Sequence, residues 1–313
     1  MHPVPRPRAH LARITAVLAL GCAPAAQVRA DAFAEAILSI DNFRLIHPDG
    51  TPYGSADLAL VGGTQAARAA ADLNGVFASD AQRYDARGGL AIDLRQQAVG
   101  GAVRQENVFT PLGAAAGQTG ARASADQRIV GKLFGDGASS QTRADAAFDG
   151  VGAAGASAGF DATSQFRFSL GTDDYMTIAF NATPFSQAAL APGGGAAAQA
   201  SAALSWSVTI VDLSTGATVL SFAPEALNAW SGVSRSAGVD GTMTYDPGQM
   251  FFSVTSDLLS MNDSYQLTIS QSSSVFAGQN QAVPEPATLA CSGAGLLAMA
   301  WLARRRRQAR QGN

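Results

Sequence analysis

Apolar and polar side chains alternate through the second half of the chain. Phe166, Phe168 and Leu170 alternate with Gln165, Arg167 and Ser169, and Met176, Ile178 and Phe180 with Thr177, Ala179 and Asn181. The same pattern recurs in Leu204, Trp206, Val208 and Ile210, and again in Tyr265, Leu267 and Ile269. A period of two sends one set of side chains into a core and the other into water, as in antiparallel sheet. Turn-forming runs separate the segments: Gly171-Thr172-Asp173-Asp174, Ser214-Thr215-Gly216 and Asp246-Pro247-Gly248. Further strands are expected at 36–46, 90–95, 128–134, 217–222 and 250–255. This spacing predicts an all-β body: an antiparallel two-sheet β-sandwich, jelly-roll-like, with long loops.

Helix is expected in two short places. Residues 65–73 are Ala-rich and stop at Asn74-Gly75, read as a helix C-cap. Residues 224–230 open on Pro224, which suits a first helical position. Stretches 111–125, 150–161 and 186–203 read as loops, the last containing Pro192-Gly193-Gly194-Gly195. Residues 31–270 are expected to form one ectodomain, and 271–283 a polar stalk. No fixed-period repeat is present.

Both ends break the pattern. Arg6, Arg8 and Arg13 precede an apolar stretch, 14–23, too short to span a bilayer but right for a signal peptide. Val28-Arg29-Ala30 then places apolar and small residues three and one before a cut between Ala30 and Asp31. Residues 1–30 are expected to be a signal helix removed by signal peptidase. A lipoprotein signal at Ala19-Leu20-Gly21-Cys22 is the rival reading, weakened because Ala stands where such sites carry Leu. At the other end Val283, Pro284, Glu285 and Pro286 precede an uncharged run, 287–303, followed by Arg304, Arg305, Arg306 and Arg307. A helix at about 1.5 Å per residue over that run just crosses a hydrocarbon core of about 30 Å. The arginines mark the cytoplasmic side and stop transfer, leaving 308–313 as a cytoplasmic tail.

This order of elements resembles the PEP-CTERM sorting signal of exported proteins in Gram-negative bacteria. The resemblance covers the segment 284–307 and its Val283 flank. It implies recognition by an exosortase, a membrane-embedded cysteine protease that cuts at or near Pro284-Glu285-Pro286. It also implies an inner-membrane anchor before processing, then a place on the cell surface or in the extracellular matrix. The prolines favour extended backbone, the form that proteases read.

Composition sharpens this picture. The 313 residues carry 21 Lys+Arg and 24 Asp+Glu, a net charge of −3. Between 31 and 283, however, 12 basic groups face 23 acidic ones, a net charge of −11. Such a surface is soluble and repels phosphate polymers, so no nucleic-acid partner is expected. The two cysteines, Cys22 and Cys291, lie in the terminal segments, so no disulfide staples the body.

Candidate chemistry is sparse. Residues 150–155 satisfy G-x-G-x-x-G, but Gly155 and Gly159 would interrupt the helix that a dinucleotide site needs. Residues 155–159 satisfy G-x-S-x-G around Ser157, yet no His follows it, as a nucleophile elbow requires. His47 is the sole histidine between 31 and 283, which disfavours zinc and copper; no metal or cofactor is expected. Asp173, Asp174, Asp240 and Asp246 are oxygen donors that calcium would accept, though Asp in turns usually serves the backbone. Trp206 falls on the buried face of its strand. Trp230 is the candidate for stacking on a sugar ring, with capping of the sandwich edge as the plainer role.

The reading that results is a non-enzymatic exported surface or extracellular-matrix protein, sorted by an exosortase. The alternatives are a carbohydrate-binding β-sandwich acting in exopolysaccharide, and a secreted carboxylate-dependent hydrolase.

Overall fold

The computed structural model describes residues 31–85, 90–101, 105–112, 121–132, 137–149, 152–160, 165–191, 197–239 and 241–279. In chain order the strands are β1 (Asp31–Ile46), β2 (Leu58–Leu73), β3 (Val76–Asp85), β4 (Leu90–Gly100), β5 (Arg122–Gly131), β6 (Ala138–Asp149), β7 (Gly152–Phe160) and β8 (Gln165–Leu170). They continue with β9 (Asp174–Leu190), β10 (Ala198–Asp212), β11 (Thr218–Phe222), β12 (Trp230–Ser234), β13 (Thr242–Tyr245), β14 (Met250–Leu259) and β15 (Tyr265–Gln279). One sheet of seven strands runs β13-β9-β1-β6-β5-β4, with β14 also on β9. The other, of eight, runs β11-β10-β15-β7-β2-β3, with β12 also on β10 and β8 between β15 and β2. Neighbouring strands pair antiparallel throughout. In the first sheet β4, β5 and β6 are consecutive, and β1 lies beside β6, the spatial order of a Greek key.

The sheets meet through side chains that change along the strands. At one end β1 contributes Leu38, Ile40, Phe43 and Leu45, and β10 contributes Leu204, Trp206, Val208 and Ile210. There Phe180 of β9 lies 4.5 Å from Trp206 and 5.2 Å from Phe252, ring centre to ring centre. At the other end the same strands contribute Ala32, Ala34 and Ala36, and Ala198, Ala200 and Ala202. A polar seam lies between. Gln271 of β15 accepts from Ser140 Oγ of β6 at 2.6 Å and donates to the Leu38 carbonyl of β1 at 2.8 Å. Thr142 and Ser273 share a hydrogen bond of 2.9 Å beside it. These groups are buried and bonded, so the seam carries little desolvation penalty and fixes how the sheets align.

Several expected elements are corrected. Residues 65–73 are strand, not helix. Gln65, Ala67, Ala69 and Ala71 face inward, and the flanking Ala66, Arg68 and Ala70 face out. Alanine's helix propensity, worth under about 1 kcal/mol per residue, yields to pairing on both sides with β3 and β7. Asn74 and Gly75, at φ of 53° and 81°, form the hairpin turn between β2 and β3 rather than a helix cap. In 224–230 the chain makes only a 3₁₀ turn, Glu225–Leu227, with Pro224 before it as the cap.

The expected loop 150–161 is mostly β7, an interior strand of its sheet. Its glycines allow close approach: a Cβ on Gly159 would lie 2.9 Å from Ser272 Cα. The loop expected at 186–203 shrinks, because β9 reaches Leu190 and β10 begins at Ala198, and β5 likewise claims 122–125 of the first loop. Residues 271–279 are not stalk but the second half of β15, with Gln271, Ser273 and Gln279 buried. Among the described residues no helix is long and apolar enough to cross a membrane. The expected signal helix, 1–30, and transmembrane helix, 287–303, lie outside the described residues.

Candidate functional site

Trp230 begins β12 at an edge of the eight-stranded sheet and is 60% exposed. Trp230 pairs with Ala203 and Gly232 with Ser201 of β10, on the face turned away from the core. A Cβ on Gly232 would fall inside the indole, so the ring lies flat on bare backbone with its other face to solvent. Phe276 of β15, half-buried on the same face, brings its Cζ to 3.0 Å from where a Cβ on Gly278 would stand. Between the two rings is a shallow groove of about 410 Å³, lined by Gln199, Ser201, Ser234 and Val239 among others. Hydroxyl and amide groups together with two aromatic rings in the lining suit an amphipathic ligand such as a sugar.

The other sequence-derived candidates are dispersed. Ser157 lies mid-strand in β7, paired with Ala70 and Ser274, not on a strand-to-helix turn. The same strand fills most of the G-x-G-x-x-G run, so no helix opens at 155. Asp173 accepts from the Met261 amide at 2.7 Å, and Asp246 from the Gly248 amide at 3.3 Å, both backbone roles. Asp240 lies outside the described residues. Among the described residues no group of three or more His, Cys, Asp or Glu is placed to hold a metal. Asp31 is the first residue of β1. Ala30, Val283, Pro284, Glu285, Pro286 and Arg304 to Arg307 lie outside the described residues.

Two side-chain clusters have no counterpart in the sequence reading. In the first, Asp174 Oδ2 lies 2.5 Å from His47 Nδ1 and accepts from the Tyr53 hydroxyl at 2.7 Å. The His47 and Tyr53 rings stack at 3.8 Å, and Asp57 stands 3.8 Å from Nε2. Burial pushes the Asp174 carboxyl up, but its bonds to His47 and Tyr53 outweigh this and hold it below the usual carboxylate range. Burial, then the bond to Asp174, raises the Tyr53 phenol. The set ties the β1–β2 connection to the start of β9. In the second cluster, Glu35 of β1 and Arg143 and Asp145 of β6 are fully buried on the outer face of the seven-stranded sheet. Residues 105–112 cover them: Arg143 Nη1 donates to the carbonyls of Val108 at 2.6 Å and Thr110 at 2.7 Å. Alternation alone places these charges in water, and no local motif announces the segment that covers them.

Two facing antiparallel sheets with an aromatic-walled groove at one edge define a β-sandwich-like body. A model of the PEP-CTERM protein-sorting motif matches residues 282–307, beginning three positions after the end of β15. The chain therefore carries that sorting motif, which implies an exported protein with a C-terminal anchoring signal for an exosortase. No curated protein and no solved structure matches the chain.

Proposed function

We propose that this chain is a non-enzymatic surface or extracellular-matrix protein whose C-terminal signal is cut at Pro284-Glu285-Pro286. The sorting motif at 282–307 is the observation that carries the reading. Signal peptidase would act between Ala30 and Asp31, and the helix at 287–303 would hold the body to the inner membrane until cleavage. The acidic, disulfide-free body suits a soluble role once released.

The test is intact mass and C-terminal peptide mapping of the protein from cells with and without the exosortase. The expected result is a mature form ending near Glu285 only where the exosortase is present. A surface form that still carries Arg304 to Arg307 in exosortase-containing cells overturns the reading.

A further inference from the structure

We propose that the outer face of the eight-stranded sheet binds a linear, neutral, β-linked polysaccharide laid across its strands. This goes beyond the sorting reading and stands whether or not the tail is cut.

The carrying observation is a row. Phe77 of β3 pairs with Asp72 of β2, and Asp72 with Gly155 of β7. Gly155 pairs with Phe276 of β15, Phe276 with Ser201 of β10, and Ser201 with Gly232 of β12. Five of them lie on the face opposite the core, since their chain neighbours Ala71, Ala154, Val275, Ala277, Ala202 and Val233 point inward, and Phe77 joins that face through its pairing with Asp72. The row crosses the sheet from edge to edge, five strand spacings or about 24 Å. Phe77, 76% exposed, stands three spacings from Phe276, about 14 Å. Phe276 stands two spacings from Gly232, on which the Trp230 indole lies, about 10 Å.

The ligand class follows from this face. A pyranose unit advances an extended β-linked chain by about one strand spacing, so the rings meet sugars a fixed number of units apart. Aromatic rings reachable from solvent, such as those of Trp230 and Phe77, stack on the C–H faces of sugars. Ser201 within the row, and Ser157, Ser274 and Gln199 beside it, offer hydroxyl and amide partners. Only Asp72 in the row is charged, and the body's net charge of −11 repels polyanions. A neutral chain fits where a nucleic acid or an acidic lipid surface does not.

The test uses the exported protein purified from cells, with particulate cellulose and chitin for pull-down. Hydroxyethyl cellulose and dextran serve in affinity electrophoresis, and cello-oligosaccharides of increasing length in calorimetry. Retention on at least one β-linked polymer and none on dextran is expected, with affinity rising until about six units span the row. Trp230→Ala and Phe77→Ala should each weaken polymer binding about tenfold without moving the melting temperature. Phe77→Ala should leave disaccharide binding at the Trp230 groove unchanged. Absence of binding to every β-linked probe overturns the proposal, as does binding that both variants leave intact. A dimer that dissociates on Trp230→Ala, with glycan retention unchanged, overturns it in favour of a face joining two copies. Retention reads this face and C-terminal mass reads processing, so failure of one is distinguishable from failure of the other.

Discussion

Arg143 on β6 donates through Nη2 to the carboxylate of Glu35 on the adjacent β1, and neither side chain reaches solvent. Both stand on the sheet face where alternation expects water. The Leu112 amide also donates to Glu35, at 3.0 Å, so the pair clamps the covering segment from both partners. Removing one partner strands a buried charge. Arg143→Met should therefore cost about 3–5 kcal/mol in urea unfolding, and Arg143→Met with Glu35→Leu should recover much of it. Equal loss in the single and the double variant would refute the clamp.

The His47–Asp174 contact predicts acid sensitivity. Asp174 is held below its ordinary 3.8 in the folded protein. A carboxylate lowered by folding stabilises the fold above its unfolded value, and that contribution is lost as pH falls through the folded one. Asp174→Asn should flatten the fall in unfolding midpoint below about pH 4 and lower stability at neutral pH. A pH series of denaturation midpoints, parent against variant, checks both.

Asp212 gives a second, separable acid response at the β10–β11 turn. Bonds from Ser214 and then Thr215 lower its carboxyl to about 2. The stabilisation it lends is complete above about 3.8 and fades as pH falls toward 2. Carboxyl chemical shifts of Asp212 should titrate near the lower value, and Ser214→Ala should move the midpoint upward.

The glycines of β7 are not equivalent. A Cβ on Gly155 meets nothing nearer than the Val275 carbonyl at 3.5 Å, whereas one on Gly159 runs into Ser272 at 2.9 Å. Gly159→Ala should lower the unfolding midpoint, and Gly155→Ala should be near neutral. Thermal melts of the two variants side by side decide the point.

The two ends of the core should answer differently to truncation. Trp206 is fully buried against Phe180, so Trp206→Ala should cost about 3–5 kcal/mol in urea unfolding. At the alanine end there is little to remove and no room to add. Ala69→Leu should destabilise by about 1–3 kcal/mol through overpacking. A tolerated Ala69→Leu would show that the sheets separate freely there.

Strands carrying large alternating side chains were legible from sequence, because Phe166, Phe168, Trp206 and Leu267 announce their own face. The strands of β2 and β7 were not, because Ala, Gly and Ser give the same reading on both faces. Only pairing with neighbours decides that Ala69 is core and Ala70 is surface. Trp230 was recognisable as a candidate ring, yet its relation to Phe276 and Phe77 depends on the register of six strands. The Glu35–Arg143 pair brings together residues 108 positions apart and had no local signal at all.

The position of β15 sets an order of events. It lies between β10 and β7 in the interior of its sheet, and its Gln271 reaches across to Leu38 of β1. In a chain delivered from its N-terminus, β10 and β7 wait without a shared partner until residues 265–279 arrive. The sorting motif begins at 282, so the strand that completes the eight-stranded sheet is also the element directly before that motif. A cut within that motif, as proposed above, would spare every strand of both sheets and leave the fold closed by its own last element.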